Sequence, residues 1–145
     1  MSAQFSLAGL LRLRKLEEDQ RAVELNSARD REAVGAARTR RIRSALAEGA
    51  HEDPTAHASL ASIAATRASS ATMLSELGEL DRQNAEAVEQ AAAAHADAHR
   101  KTLGLEKLEE RHEEQQRVEE LRQEQLLLDD LSSRAWHAAH GEEAP

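Results

Sequence analysis

Two long runs without proline, Ser6 to Glu48 and Thr55 to His140, constrain this 145-residue chain more than any other feature. Glycine interrupts them only at positions 9, 35, 78 and 104, and the rest is dominated by Ala, Leu, Glu, Gln and Arg. These are strong helix formers, and nothing inside either run removes a backbone donor or forces a turn. Phe5 and Trp136 are the only aromatics. A sheet or a compact mixed core needs the β-branched and aromatic side chains that are scarce here. The expected class is all-α, an elongated antiparallel coiled-coil hairpin in which the N-terminal helix pairs with the C-terminal helix.

The boundaries follow from capping chemistry. Ser6 is a suitable N-cap, so the first helix is expected over 6–48, and Gly49 marks its stop. Asp53-Pro54 has the form of an N-cap followed by proline at the first helical position. One coiled-coil domain is therefore expected over 1–145. A connecting helical segment fills 49–92, with breaks near 49–54 and at Gly78; the C-terminal helix is 93–139 and the tail 140–145.

Spacings of three and four trace a seam in the first helix through Leu13, Leu16, Gln20, Val23, Ser27, Asp30, Val34, Ala37 and Arg41. In the later part Leu60, Ile63, Arg67, Ser70, Leu74 and Leu77 lead through Val88, Ala91, His95 and Ala98 to Leu105. The frame there shifts by three residues, and Val118, Leu121, Gln125, Leu128, Ser132 and Ala135 continue it. Pairing the first helix with the C-terminal one sets Leu10 opposite Leu131, Leu13 opposite Leu128 and Val23 opposite Val118. Arg12 then meets Asp129, Arg21 meets Glu120 and Glu24 meets Arg117. That register requires the break at Gly78. The short link after Gly49 spans at most about 18 Å, so an unbroken second helix would pair at once and overhang. An up-down-up bundle of three helices also fits the length.

Several kinds of chemistry are excluded or unsupported. There is no Cys, hence no disulfide or thiolate site. His95 and His99 lie one turn apart and make only half a metal site, with Asp97 on another face. Pairs such as Glu109-Glu110 and Glu113-Glu114 read as solvated charge rather than acid–base machinery. No phosphate-binding loop, nucleophile elbow or HExxH motif occurs, so no enzyme, cofactor or small-molecule substrate is expected. No stretch has the length of a membrane span.

Charge is uneven. Residues 1–50 carry ten Arg/Lys against seven Asp/Glu, while the remainder carries nine against twenty. The cluster Arg38, Arg40, Arg41 and Arg43 sits in an acidic chain without stacking aromatics, which favours a partner-facing helix surface over nucleic-acid binding. Phe5, Leu7, Leu10 and Leu11 at one end and Trp136 near the other are candidates for closing a coiled coil or for docking a partner.

The opening Phe5-x-Leu7-x-x-Leu10-Leu11-x-Leu13-Arg14, followed by Glu17 and Glu18, resembles the start of the flagellar export stalk family FliJ. Near the other end, Arg111, Glu119, Glu120, Glu124-Gln125-x-x-Leu128-Asp129-Asp130-Leu131 and Arg134 are similar to that family's charged C-terminal helix. The run departs from the family pattern at Gln125, Leu127 and Asp130. The resemblance implies a non-enzymatic antiparallel coiled coil whose paired termini enter the hexameric flagellar export ATPase and promote its assembly. It also implies contacts with the export gate protein and with export chaperones, and a cytoplasmic location peripheral to the inner face of the cell membrane. By this carry-over Phe5, Leu7, Leu11, Arg14, Glu18, Glu124, Leu128, Asp129 and Arg134 face the ATPase ring, and Arg38, Arg41 and Leu46 face the gate or a chaperone. Two other readings use the same residues: a generic coiled-coil scaffold or secretion chaperone, and a membrane-surface protein anchored by the amphipathic segment Phe5 to Leu16.

Overall fold

The computed structural model describes residues 6–49 and 59–141. Two helices account for nearly all of them, α1 over Ala8–Gly49 and α2 over Leu60–His140. They pack antiparallel, so the expected all-α helical hairpin is what the chain forms. Two compact units result, one from the described residues up to Lys15 and from Lys101 onward, the other from Leu16–Arg100.

Local chemistry sets the helix starts. Ser6 and Leu7 form a turn, and the first helical bond runs from the Leu11 amide to the Leu7 carbonyl at 2.9 Å. The start of α2 is capped by Ser59, whose hydroxyl accepts from the Ser62 amide at 3.2 Å. Asp53-Pro54 lies outside the described residues.

α2 corrects the expected organisation. It runs unbroken for 81 residues, so neither the break at Gly78 nor a separate C-terminal helix beginning at 93 exists. A lone glycine costs a helix only about 1 kcal/mol, and the strong formers on both sides of Gly78 outweigh that. With no break, α2 pairs beside α1 directly and the register moves. The Thr102 hydroxyl donates to the Arg14 carbonyl at 3.3 Å, and Lys15 bridges Glu106 at 3.0 Å. Within the other unit, His99 meets Glu18, and Gly35 lies beside Asp81 and Asn84. Leu10 therefore does not reach Leu131, nor Leu13 Leu128.

The seam of α1 also differs from the expected one. Its inward residues are Leu11, Arg14, Glu18, Leu25, Ala28, Glu32, Gly35, Thr39, Ile42 and Leu46, whereas Leu13, Leu16, Val23 and Val34 are exposed. The reason is close approach. A Cβ on Gly35 would lie 2.9 Å from the Asn84 amide nitrogen and 3.2 Å from an Asp81 carboxylate oxygen, so the helices meet over small residues. Ala28 is only 2% exposed, and Ala98 is buried as well. Counting large apolar side chains selects the wrong face where the contact is made by Ala, Gly and Thr.

On α2 the expected seam from Ile63 to Leu105 is the inward one, apart from Arg67, and Leu60 ahead of it is exposed. It continues without a frame shift through Glu109, His112 and Gln116, all half-buried. The interior is thin throughout. Among the described residues the buried apolar side chains are Leu11, Leu25, Ala28 and Ala98, and Thr39 and Thr102 are buried with them. The Thr39 hydroxyl has no hydrogen-bond partner, a cost of about 1–3 kcal/mol that the seam carries.

Candidate partner-binding surface

Past Gln116 every described residue of α2 is exposed. In the unit that contains it, α1 begins at Ala8 and lies opposite the stretch near Thr102 and Glu106, so among the described residues of that unit the last two dozen of α2 have no helix beside them. This bare stretch is about 36 Å long at 1.5 Å per residue. It carries Val118, Leu121, Leu126, Leu127, Leu128, Leu131 and Trp136, all large apolar side chains left in water. Leu128 is 62% exposed and Trp136 59%.

Periodicity arranges these residues. Val118, Leu121, Gln125, Leu128, Ser132 and Ala135 fall on one face at spacings of three and four. Continuing the paired seam past Gln116 leads instead to Glu119, Gln123 and Leu126. At 100° per residue those positions lie nearly on the opposite side of the helix from Leu121 and Leu128. The apolar row thus faces away from α1's side.

The candidate residues separate into two groups. Leu11 is 5% exposed and belongs to the helix pair, and Arg14 and Glu18 are half-buried beside it in sequence. The Arg14 carbonyl accepts from Thr102, and the Glu18 carboxylate lies 2.6 Å from the His99 ring nitrogen. Leu7 is at the margin of exposure, and Phe5 lies outside the described residues. Glu124, Leu128, Asp129 and Arg134 stand on the bare stretch, where Arg134 bridges Asp130 at 2.8 Å. Within that unit, Leu11 and Arg14 are not brought together with this group. Arg38 and Arg41 are exposed on α1, and Leu46 is half-buried in the seam.

The Trp136 indole has local company. Its ring stacks on His140 with centroids 4.8 Å apart, and His137 packs edge-on at 5.1 Å. His95 and His99 stack at 6.4 Å, and the contact of His99 with Glu18 ties α2 to α1. Among the described residues no three His, Cys, Asp or Glu side chains gather into a metal-binding group. No described helix is long and apolar enough to cross a membrane.

Electrostatic perturbation is confined to solvated helix surface. Glu79 is held down at about 2, first by hydrogen bonds from Arg82 and then by one from Gln83. Arg82 is raised in return by Glu79, and Arg21 by its hydrogen bond to Glu24 at 2.7 Å. These are pairs one turn apart along a helix. None lies in a cleft, so none is poised for proton transfer.

Sequence reasoning placed Val118, Leu121 and Leu131 inside the α1 pairing, and so missed them as surface. The signal that identifies them was the short link after Gly49, which places the excess length of an unbroken α2 beyond α1. Lys15, Glu106 and Thr102, which fix the register, have no sequence signature beyond helical spacing. Among known proteins, the family model described as Flagellar FliJ protein matches residues 3–141. No curated protein and no solved structure matches the chain.

Proposed function

The chain belongs to the flagellar FliJ family, which gives it a role connected with flagellar protein export, and from that premise we propose that it is a stalk for the export ATPase. In this reading the helical end bearing Glu124, Leu128, Asp129 and Arg134 enters the hexameric ATPase, promotes assembly of the ring, and couples it to the export gate protein and export chaperones. The protein supplies no catalysis; the ring does. Leu11, Arg14 and Glu18 serve indirectly, by holding α1 against α2. Arg38, Arg41 and Leu46 are the candidates for the gate or chaperone contact, and the protein works at the inner face of the cell membrane by association with the apparatus.

One observation supports the reading above the others: the apolar row on the bare stretch of α2 is flanked by charge of both signs. An apolar row with a charged rim suits insertion into a protein cavity, where the leucines are dehydrated and the rim fixes orientation. It suits a bilayer surface less well, because Glu119, Glu120, Asp129 and Asp130 would meet anionic headgroups.

The test is Leu128→Glu in the full chain. Loss of one buried Leu contact is worth about 1.5–3 kcal/mol, so stimulation of the purified export ATPase should require roughly tenfold or more of the variant. Motility of cells carrying it should fall while protein level holds. Unchanged stimulation together with normal swimming would remove the bare stretch from the ring contact.

A further inference from the structure

We propose that two copies of this chain pair antiparallel through the bare stretch of α2, with Leu121 of each facing Ser132 of the second copy. The starting point is the row Val118, Leu121, Gln125, Leu128, Ser132 and Ala135. It is exposed in its entirety, has coiled-coil spacing, and lies on the side of α2 that α1 does not serve. A row of this kind is complete only with a second helix. The occupant is a second copy, because the row and its flanks complement themselves in one antiparallel register.

In that register Val118 faces Ala135, Leu121 faces Ser132 and Gln125 faces Leu128 of the second copy. Each layer sets a larger side chain against a smaller or unbranched one, which lets two helices interdigitate without voids. The flanking residues select the register. Arg122 and Asp129 occupy the same flank of the row, each directly after a core position. In the proposed register Arg122 of each copy lies beside Asp129 of the second copy, twice per dimer. Sliding by one heptad in one direction sets Arg122 against Arg122 and Glu124 against Glu124. Sliding the other way sets Asp129 against Asp129. Like charges at such positions disfavour both alternatives. Among the described residues, neither Arg122 nor Asp129 takes part in an ion pair within the chain, whereas Arg117 and Arg134 have partners in Glu114 and Asp130.

Three heptads with Gln and Ser in the seam make a weak interface, so the dimer forms as concentration rises and dissociates on dilution. The pairing is read on the purified chain alone and does not depend on the export reading. If that reading also holds, self-pairing covers the row that the ring would use, and the two associations compete.

The experiment is sedimentation velocity on the full chain across a wide concentration range. The wild type is expected to move from monomer toward dimer. Arg122→Glu turns two attractions into two repulsions and should weaken the dimer roughly tenfold, given the modest worth of exposed pairs. Arg122→Glu combined with Asp129→Arg should restore it, with helix content by circular dichroism unchanged in all three. Because the chain has no Cys, register can be read directly. A mixture of Leu121→Cys and Ser132→Cys copies should crosslink between the two variants on oxidation, while either variant alone should not. A monomer at every concentration, an Arg122→Glu protein that dimerises like the wild type, or crosslinks formed equally well by a single variant would each overturn the proposal. The first of these leaves the row to a different protein.

Discussion

The paired part of α1 and the bare end of α2 use size and burial in opposite senses. Between Leu25 and Thr39 the helix is buried through Leu25, Ala28 and Thr39, with Gly35 at the closest approach, while Val34 and, just before this stretch, Val23 stay in water. From Val118 onward the leucines and the tryptophan are exposed and nothing is buried. Around Gly35, helix against helix is thus a matter of close approach by small side chains. The large apolar side chains are concentrated where the chain provides no partner, and a surface that retains five leucines and a tryptophan in water is one built to be covered.

The comparison breaks if the bare leucines turn out to stabilise the monomer. Leu25→Ala, at a side chain 8% exposed, should lower unfolding free energy by about 2–3 kcal/mol, toward the small end of the range for buried leucines because the core is thin. Leu128→Ala should change it by less than about 0.5 kcal/mol. Urea melts of both variants, run at a dilution where self-association is absent, decide the matter. Equal losses would mean that the bare stretch packs against something in the folded monomer.

A smaller effect sharpens it. Gly104→Ala adds a Cβ into open space and should gain the helix-propensity difference, up to about 1 kcal/mol. Gly35→Ala gains the same intrinsic term but drives its methyl toward Asn84 and Asp81, so the gain should vanish or reverse. Thermal melts that rank the two alike would show that the helices are not held closest at Gly35.

The smallest effect concerns ion pairs, which both regions place on solvated faces. Glu79 is held at about 2 by Arg82 and Gln83, so its contribution is present above the ordinary value of 4.5 and is lost as pH falls from there through about 2. Full exposure makes the consequence for stability slight. Carboxyl titration by NMR should place the Glu79 midpoint at the low end, and Arg82→Gln should return it toward the ordinary range.

Much of the fold was legible in the sequence because helix formation here is local. The proline-free run from Ser6 predicted one long first helix, and the seam from Ile63 to Leu105 followed from spacing. Register was not legible in the same way. It depends on whether Gly78 breaks α2, and a single glycine is too weak a signal to decide that by itself. The α1 face was missed because Leu13, Leu16, Val23 and Val34 outweigh Ala28 and Gly35 in any count of hydrophobicity. The steric room at Gly35 decided the outcome instead. The candidate surface was half legible: Glu124, Leu128, Asp129 and Arg134 were singled out by family likeness, and their distance from Leu11 and Arg14 followed only from the register.

The register also sets an order in time. Opposing positions closest to the link, such as Leu46 and Ser70, close the shortest loops and so meet first, and pairing then spreads outward toward Leu11. The bare stretch begins beyond the last of these partners, so pairing of the hairpin does not depend on it. That segment, a lone helix with no neighbour to wait for, should be the last to order and the first to exchange its amide hydrogens with solvent.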